Sequence, residues 1–160
     1  MTPQLLNDLV ALFSVVGYNL CSAKYAFRKE GMRGFARFIK NEEKERWELQ
    51  DLLIKNLADL GIPTTMGAIP APIQNWSTPL ASLTTLVSHD DLILTAIEGI
   101  QADETNPAEL EYLLMKLAKR VRNERNEIYG VARELSMTVD VYAVDQSLYE
   151  RYKHKAVSKY

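Results

Sequence analysis

The stretch Gly61-Ile62-Pro63-Thr64-Thr65-Met66-Gly67-Ala68-Ile69-Pro70-Ala71-Pro72-Ile73-Gln74-Asn75-Trp76-Ser77-Thr78-Pro79 holds four prolines and two glycines. Proline lacks a backbone N–H and clashes with the preceding turn, so this stretch is no helix interior. It is a connection of about 17 residues, long enough to cross the whole length of a helical bundle. On its N-terminal side, Leu5, Leu6, Leu9, Val10, Phe13, Val16, Leu20 and Ala23 recur at three- and four-residue spacing. With Thr2-Pro3 as a start signal, residues 3 to about 29 are predicted as a first helix. Gly31 and Gly34 bracket a turn, and Phe35, Phe38, Ile39, Leu49, Leu52, Leu53, Leu57 and Leu60 form the stripe of a second. Beyond the connection a third helix begins near Ser77 or Thr78, carrying Leu80, Leu83, Leu86, Val87, Leu94 and Ile97. Asn106-Pro107 reads as cap and first position of a fourth, with Leu110, Leu113, Leu114, Leu117, Val121, Ile128, Val131 and Leu135. Two hairpins joined by one long link make an up–down–down–up four-helix bundle, since only the long link lets the second and third helices run parallel. After Ser136 the pattern changes, and Val139, Val141, Tyr142, Val144 and Leu148 suggest a short fifth helix or a packed tail.

The rest of the composition agrees with one domain over residues 1–160, the bundle taking about 3–136 and the tail 137–160. Apolar residues are 47% and charged residues 25%, which excludes disorder and collagen-like order. The formal charge of −2 neither demands nor forbids nucleic acid. Cys21 stands alone, so neither an internal disulfide nor a zinc cluster is expected. No apolar run reaches the roughly 18–20 residues of a bilayer span, and no basic-then-apolar leader opens the chain, so a cytoplasmic setting without a membrane partner is expected.

Charges on buried stripes are the informative residues in a bundle. Glu42 and Arg46 fall on the inward face of the second helix, Asp90 between Val87 and Leu94 on the third, and Glu124 between Val121 and Ile128 on the fourth. Each lies near mid-helix, where the four could converge. Three carboxylates aimed into a bundle suit a hard cation. The same residues suit a buried ion-pair network in which the planar fork of Arg46 neutralises the acids. A face assignment off by one position, with some heads in solvent, is the third reading. A di-iron carboxylate centre of the bundle type uses Glu-x-x-His on two helices, and the sequence contains no Glu-x-x-His.

Other polar features carry less. Glu42, Glu43, Glu45 and Glu48 form an acidic cluster that reads as a solvated face. His89, beside Asp90, reads as a surface or interface residue rather than a ligand, and Cys21 as a small apolar packer. Arg151, Lys153, His154, Lys155 and Lys159 among Tyr149, Tyr152 and Tyr160 could grip phosphates, though a solvated terminus is the simpler expectation.

Glu30-Gly31-Met32-Arg33-Gly34-Phe35-Ala36-Arg37-Phe38 resembles the turn between the first two helices of bacterial non-haem ferritins, roughly Q-G-L-P-G-F-A-x-W. Ala68-Ile69-Pro70-Ala71-Pro72, then Trp76 and Thr78-Pro79-Leu80, is similar to that family's A-I-E-A-P…W-x-S-P-L. Val141-Tyr142-Ala143-Val144-Asp145 resembles its short fifth helix, and His89-Asp90 stands where it has His-Glu. The resemblance implies an all-α ferritin-like fold assembling into a hollow 24-subunit cage around an iron mineral.

Carried over position by position, the family's iron ligands fall on Phe13, Arg46, Leu49, Arg120 and Val121, with Asp90 a shortened survivor. The resemblance therefore implies a cage subunit without an intrasubunit di-iron ferroxidase centre and without haem, hence no enzyme. Such a subunit stores iron passively or joins active ferritin subunits. Glu45 and Glu48 map to cavity-facing glutamates that aid mineral nucleation, with Lys44 intruding. Two alternatives stand beside it: a DNA-binding protector resembling the mini-ferritins, which lack a fifth helix, and a structural bundle binding a protein partner. Nucleic acid is the less expected partner.

Overall fold

The computed structural model describes the backbone of residues 3–157 and side chains through residue 153. Five helices follow in order: α1 (Pro3–Lys29), α2 (Arg33–Asp59), α3 (Pro79–Gln101), α4 (Ala108–Ser136) and α5 (Val141–Val157). No strand occurs among the described residues. α1 packs on α2 and on α3, while α4 packs on α3 and on α2, which closes the four-helix ring of an up–down–down–up bundle.

Both helices before the long link end the same way. Gly31 and Gly61 take positive φ, 75° and 72°, a conformation open to glycine without a Cβ penalty. Met32 N then donates to Phe27 O at 2.9 Å, and Ile62 N to Leu57 O at 2.8 Å, closing the 6→1 bond of a Schellman cap. α3 starts where the sequence places it: Thr78 accepts from Ala81 N at 3.2 Å, and Pro79 fills the first turn.

The crossover has no regular structure, so its polar backbone needs partners from elsewhere. One face of α1 supplies them. Asn7 Oδ1 accepts from Thr65 N, Asn19 Oδ1 accepts from Ile73 N, and Ser22 Oγ donates to Ile73 O. Trp76 Nε1 closes the strap on Ser22 Oγ at 3.0 Å.

Four details differ from the sequence reading. α4 starts at Ala108 with Pro107 as an uncapped N-cap, because the Asn106 amide turns away to Ile100 O and Glu111 Oε1. Leu5 and Leu80 lie at the surface, while Ile93 and Ile100 enter the core. α1 and α3 are, by length and composition, long and apolar enough to cross a membrane, against the reading that no apolar run reaches that length, and each lays a row of buried residues into the bundle core. The fifth helix is not short: α5 runs 17 residues. Its start is packed, as one of the two readings had it, and Tyr152, read as part of a solvated terminus, is buried with it. Val144, Leu148 and Tyr152 are buried against α2, and the Tyr152 ring meets Phe38 at 5.2 Å. His154, Lys155, Lys159 and Tyr160 have side chains outside the described residues.

α5 approaches α2 so closely that a Cβ on Gly34 would meet the Asp145 carbonyl oxygen. In return Asp145 Oδ1 accepts from Phe35 N at 2.9 Å, supplying the helix cap that Met32 cannot.

Candidate functional site

The middle of the bundle holds Arg46 with 0% of its surface exposed, and the side chains on three helices are arranged around its guanidinium. Nε donates to Asp90 Oδ1 at 3.0 Å and Nη2 to Asp90 Oδ2 at 2.6 Å, a bidentate fork between α2 and α3. One turn back on α2, Glu42 takes Nη1 on its Oε2 at 2.8 Å and on its carbonyl at 3.2 Å. Glu124 of α4 stands 3.6 Å from Nη1, an ion pair without a hydrogen bond. The structure thus brings together Glu42, Arg46, Asp90 and Glu124, side chains that the 3.6-residue period alone aims inward.

The charges do not balance. A further carboxyl, Glu127, sits one turn along α4 at an exposed position, and ligand atoms of Glu42, Glu124 and Glu127 lie within 4.8 Å of one another. Three carboxyl groups therefore pair with one guanidinium and a fourth stands beside them, while Asp90 takes two of its donors. Glu42 Oε1 and Glu124 Oε2 are buried with no hydrogen-bond partner. Burial pushes Glu42 well above the usual carboxylate range; Arg46 opposes this, while Glu127 and Glu124 add to it. Burial, and next the neighbouring Glu45 carboxyl, push Glu124 up to about 7. Burial works against the Arg46 charge, but Asp90 and Glu42 outweigh it and raise its pKa further. A proton or a cation on the Glu42–Glu124–Glu127 side completes the balance.

That trio is all oxygen, which suits hard divalent ions, and Glu127 opens it to solvent. α5 reaches its edge: burial, then the negative Glu127 and Glu42, push the Tyr152 phenol up to about 12, so it stays protonated. Glu127 escapes the sequence reading because it lies off the apolar stripe. Its only signal is the three-residue step from Glu124, which puts the two on neighbouring turns of one face.

The other sequence candidates are dispersed. Glu45 stands beside Glu124 and pairs with Arg120 at 3.5 Å. Glu48 pairs with Lys44 at 3.7 Å at an exposed position and takes no part in the trio. The acidic run on α2 is not one solvated face: Glu42 is buried, and Glu43 bonds Lys24 and the Trp47 indole. Phe13, Leu49 and Val121 are fully buried apolar core. His89 is half-buried outside the trio, and burial lowers its pKa, with Asp90 partly offsetting. Cys21 is half-buried, its thiol pushed up by burial and by Glu43. Gln50, not singled out from sequence, ties α2 to α1 by donating to Val10 O at 3.0 Å and Ser14 Oγ at 2.6 Å.

Comparison with known proteins adds the family. The model of the ferritin-like domain matches residues 3–106, which runs from α1 past the end of α3. No match was found among curated proteins. Among solved structures the fold is similar to an open-pore ferritin from the hyperthermophilic archaeon Archaeoglobus fulgidus, with TM-score 0.81 and 18% identity, covering 91% of this chain and 94% of that one. It is equally similar to a humanized archaeal ferritin, with TM-score 0.81, 18% identity and coverage of 91% and 92%.

Proposed function

The chain belongs to the ferritin-like domain family, and from that premise we propose that it is a cytoplasmic subunit of a 24-subunit iron-storing cage without a two-iron oxidising centre. The observation that carries the reading is the buried fork of Arg46 on Asp90. A guanidinium there repels a metal cation and occupies the space of its ligands. Phe13 and Leu49, which offer no ligand atom, support the same reading from α1 and α2. Iron in this picture is cargo, and no haem takes part. The Glu42–Glu124–Glu127 trio supplies one passive station for a ferrous ion, with Glu45 next to it. Three oxygens bind a single hard ion without the second metal that paired oxidation uses.

The crossover carries no helix and α5 is present, both of which count against the mini-ferritin plan with its DNA partner. Iron oxidation under air, followed together with the particle mass by light scattering, tests the proposal. The expected result is a particle near 24 subunits that retains iron while ferrous iron oxidises no faster than in buffer. A fast, saturable burst of oxidation overturns the missing centre. A monomer or dimer removes the storage compartment and leaves a partner-binding bundle.

A further inference from the structure

Away from the bundle centre, the end of α1 and the start of α2 enclose a cavity of about 540 Å³ against α5. Lys24, Arg28, Arg33, Arg37 and Lys40 line it, with Tyr149 from α5, and no acidic side chain lines it. Its volume falls in the range of small-molecule sites. Lys24 is already paired, donating to Glu43 at 2.7 Å. Arg37 is held in place: its guanidinium lies 3.9 Å from the centre of the Tyr149 ring, and Nη2 donates to the Tyr149 hydroxyl at 3.2 Å. Its Nη1 is buried and has no acceptor. No carboxylate among the described residues pairs with Arg28 or Arg33.

The placement runs against what folding alone favours. Cations at the end of α1 complement its dipole, and Arg28 fits that account. Arg33 and Arg37 do not. They add positive charge to the already positive N-terminus of α2, whose own first turn holds no acid and whose one carboxylate cap, Asp145, is taken up by Phe35 N rather than by either arginine. Gathering like charges in a recess raises the potential there, a cost that an anion removes.

From this juxtaposition we infer that the cavity binds a small molecule bearing a chain of two or more phosphates. A single phosphate cannot match this many donors; a pyrophosphate or nucleotide triphosphate presents oxygens to several arginine forks at once. Arg37, fixed by Tyr149, is the preorganised donor. Arg28 and Arg33, both exposed, are the arms that close on the ligand.

Titration calorimetry on the full chain tests this with orthophosphate, pyrophosphate and ATP as probes. Pyrophosphate is expected to bind more tightly than orthophosphate. The double variant Arg28→Ser/Arg33→Ser is expected to lose about tenfold or more of that affinity, the loss of charge-assisted bonds. Lys116→Ser, an exposed cation on α4, should leave it unchanged. Arg33→Gln alone, at one exposed position, repeats the comparison should the double variant misfold. Equal affinity for pyrophosphate and ATP assigns recognition to the phosphate chain alone, and tighter ATP binding assigns it to a nucleotide; either supports the site. No binding of pyrophosphate at millimolar concentration, or an affinity equal to the parent's in both the Arg28→Ser/Arg33→Ser and Arg33→Gln variants, overturns it. So does retention of duplex DNA that pyrophosphate does not displace, which would make the surface a nucleic-acid face.

Discussion

Arg46 and Asp90 join α2 to α3 through both carboxylate oxygens, at 3.0 and 2.6 Å, with 0% and 1% of their side chains exposed. Neither charge has water to fall back on, so each depends on the other. A buried pair of this kind adds little net stability compared with a well-packed apolar pair, yet removing one partner alone is costly.

Arg46→Leu therefore should lose on the order of 3–5 kcal/mol, because it strands Asp90 and Glu42 and leaves the bundle centre with carboxylates only. Urea unfolding at neutral pH reads this directly. A midpoint equal to that of the parent would mean that the acids simply take up protons and that the fork holds nothing together.

Much of this arrangement is legible from residue spacing, and the exceptions have physical reasons. Glu42 and Arg46, four residues apart on a stripe that also carries Ile39, Leu49 and Leu53, have to face the core. Glu127 has no such signal, since an exposed acid looks like any solvated residue until the fold brings Glu42 beside it. Leu80 looks like core because α3 is apolar nearly all round, so its pattern does not single out a face. α5 is read too short for the opposite reason: exposed Val139 and Tyr142 blur the four-residue step Val144–Leu148–Tyr152 that buries it. The basic cavity joins residues from α1, α2 and α5, and its grouping depends on how α5 docks, which no local pattern encodes.

The raised pKa of Glu124 gives a pH dependence with a defined sign. Its folded value, about 7, lies above its ordinary one, so between the two the folded protein holds more protons than the unfolded chain. Stability contributed by this group is then present at low pH and lost as pH rises through about 7. The groups facing it are Glu45, Glu42, Glu127 and Arg46. In chelator-treated protein, unfolding midpoints of the parent and Glu124→Gln should diverge as pH goes from 5 to 8, the variant becoming relatively more stable. Parallel curves would place Glu124 in ordinary solvent.

Gly34 is where α5 touches α2. A methyl group there would sit 1.7 Å from the Asp145 carbonyl oxygen and 2.8 Å from Tyr149 N, both backbone atoms that cannot rotate aside. Gly34→Ala is expected to lift α5, break the Phe35–Asp145 cap and cost about 1–3 kcal/mol. Limited proteolysis should then cut within α5 well before the bundle. Protection equal to the parent's would show that α5 shifts as a unit and keeps its dock.

The last test separates a proton from a metal as the partner of the spare carboxylates. Manganese(II) offers a spectroscopic signal and takes oxygen ligands. If Glu42, Glu124 and Glu127 form one station, Glu127→Gln should weaken manganese binding by about tenfold or more, at least as much as loss of an outer partner does. Glu48→Gln, outside the trio, should leave it unchanged. Arg46→Leu removes the one fully buried cation among the described residues, so manganese should bind this variant more tightly than the parent and restore more of its lost stability. The rescue should grow as pH rises past 7 and Glu124 gives up its proton. Manganese that binds the parent, Glu127→Gln and Arg46→Leu alike sits elsewhere on the surface, and the trio then carries a shared proton alone.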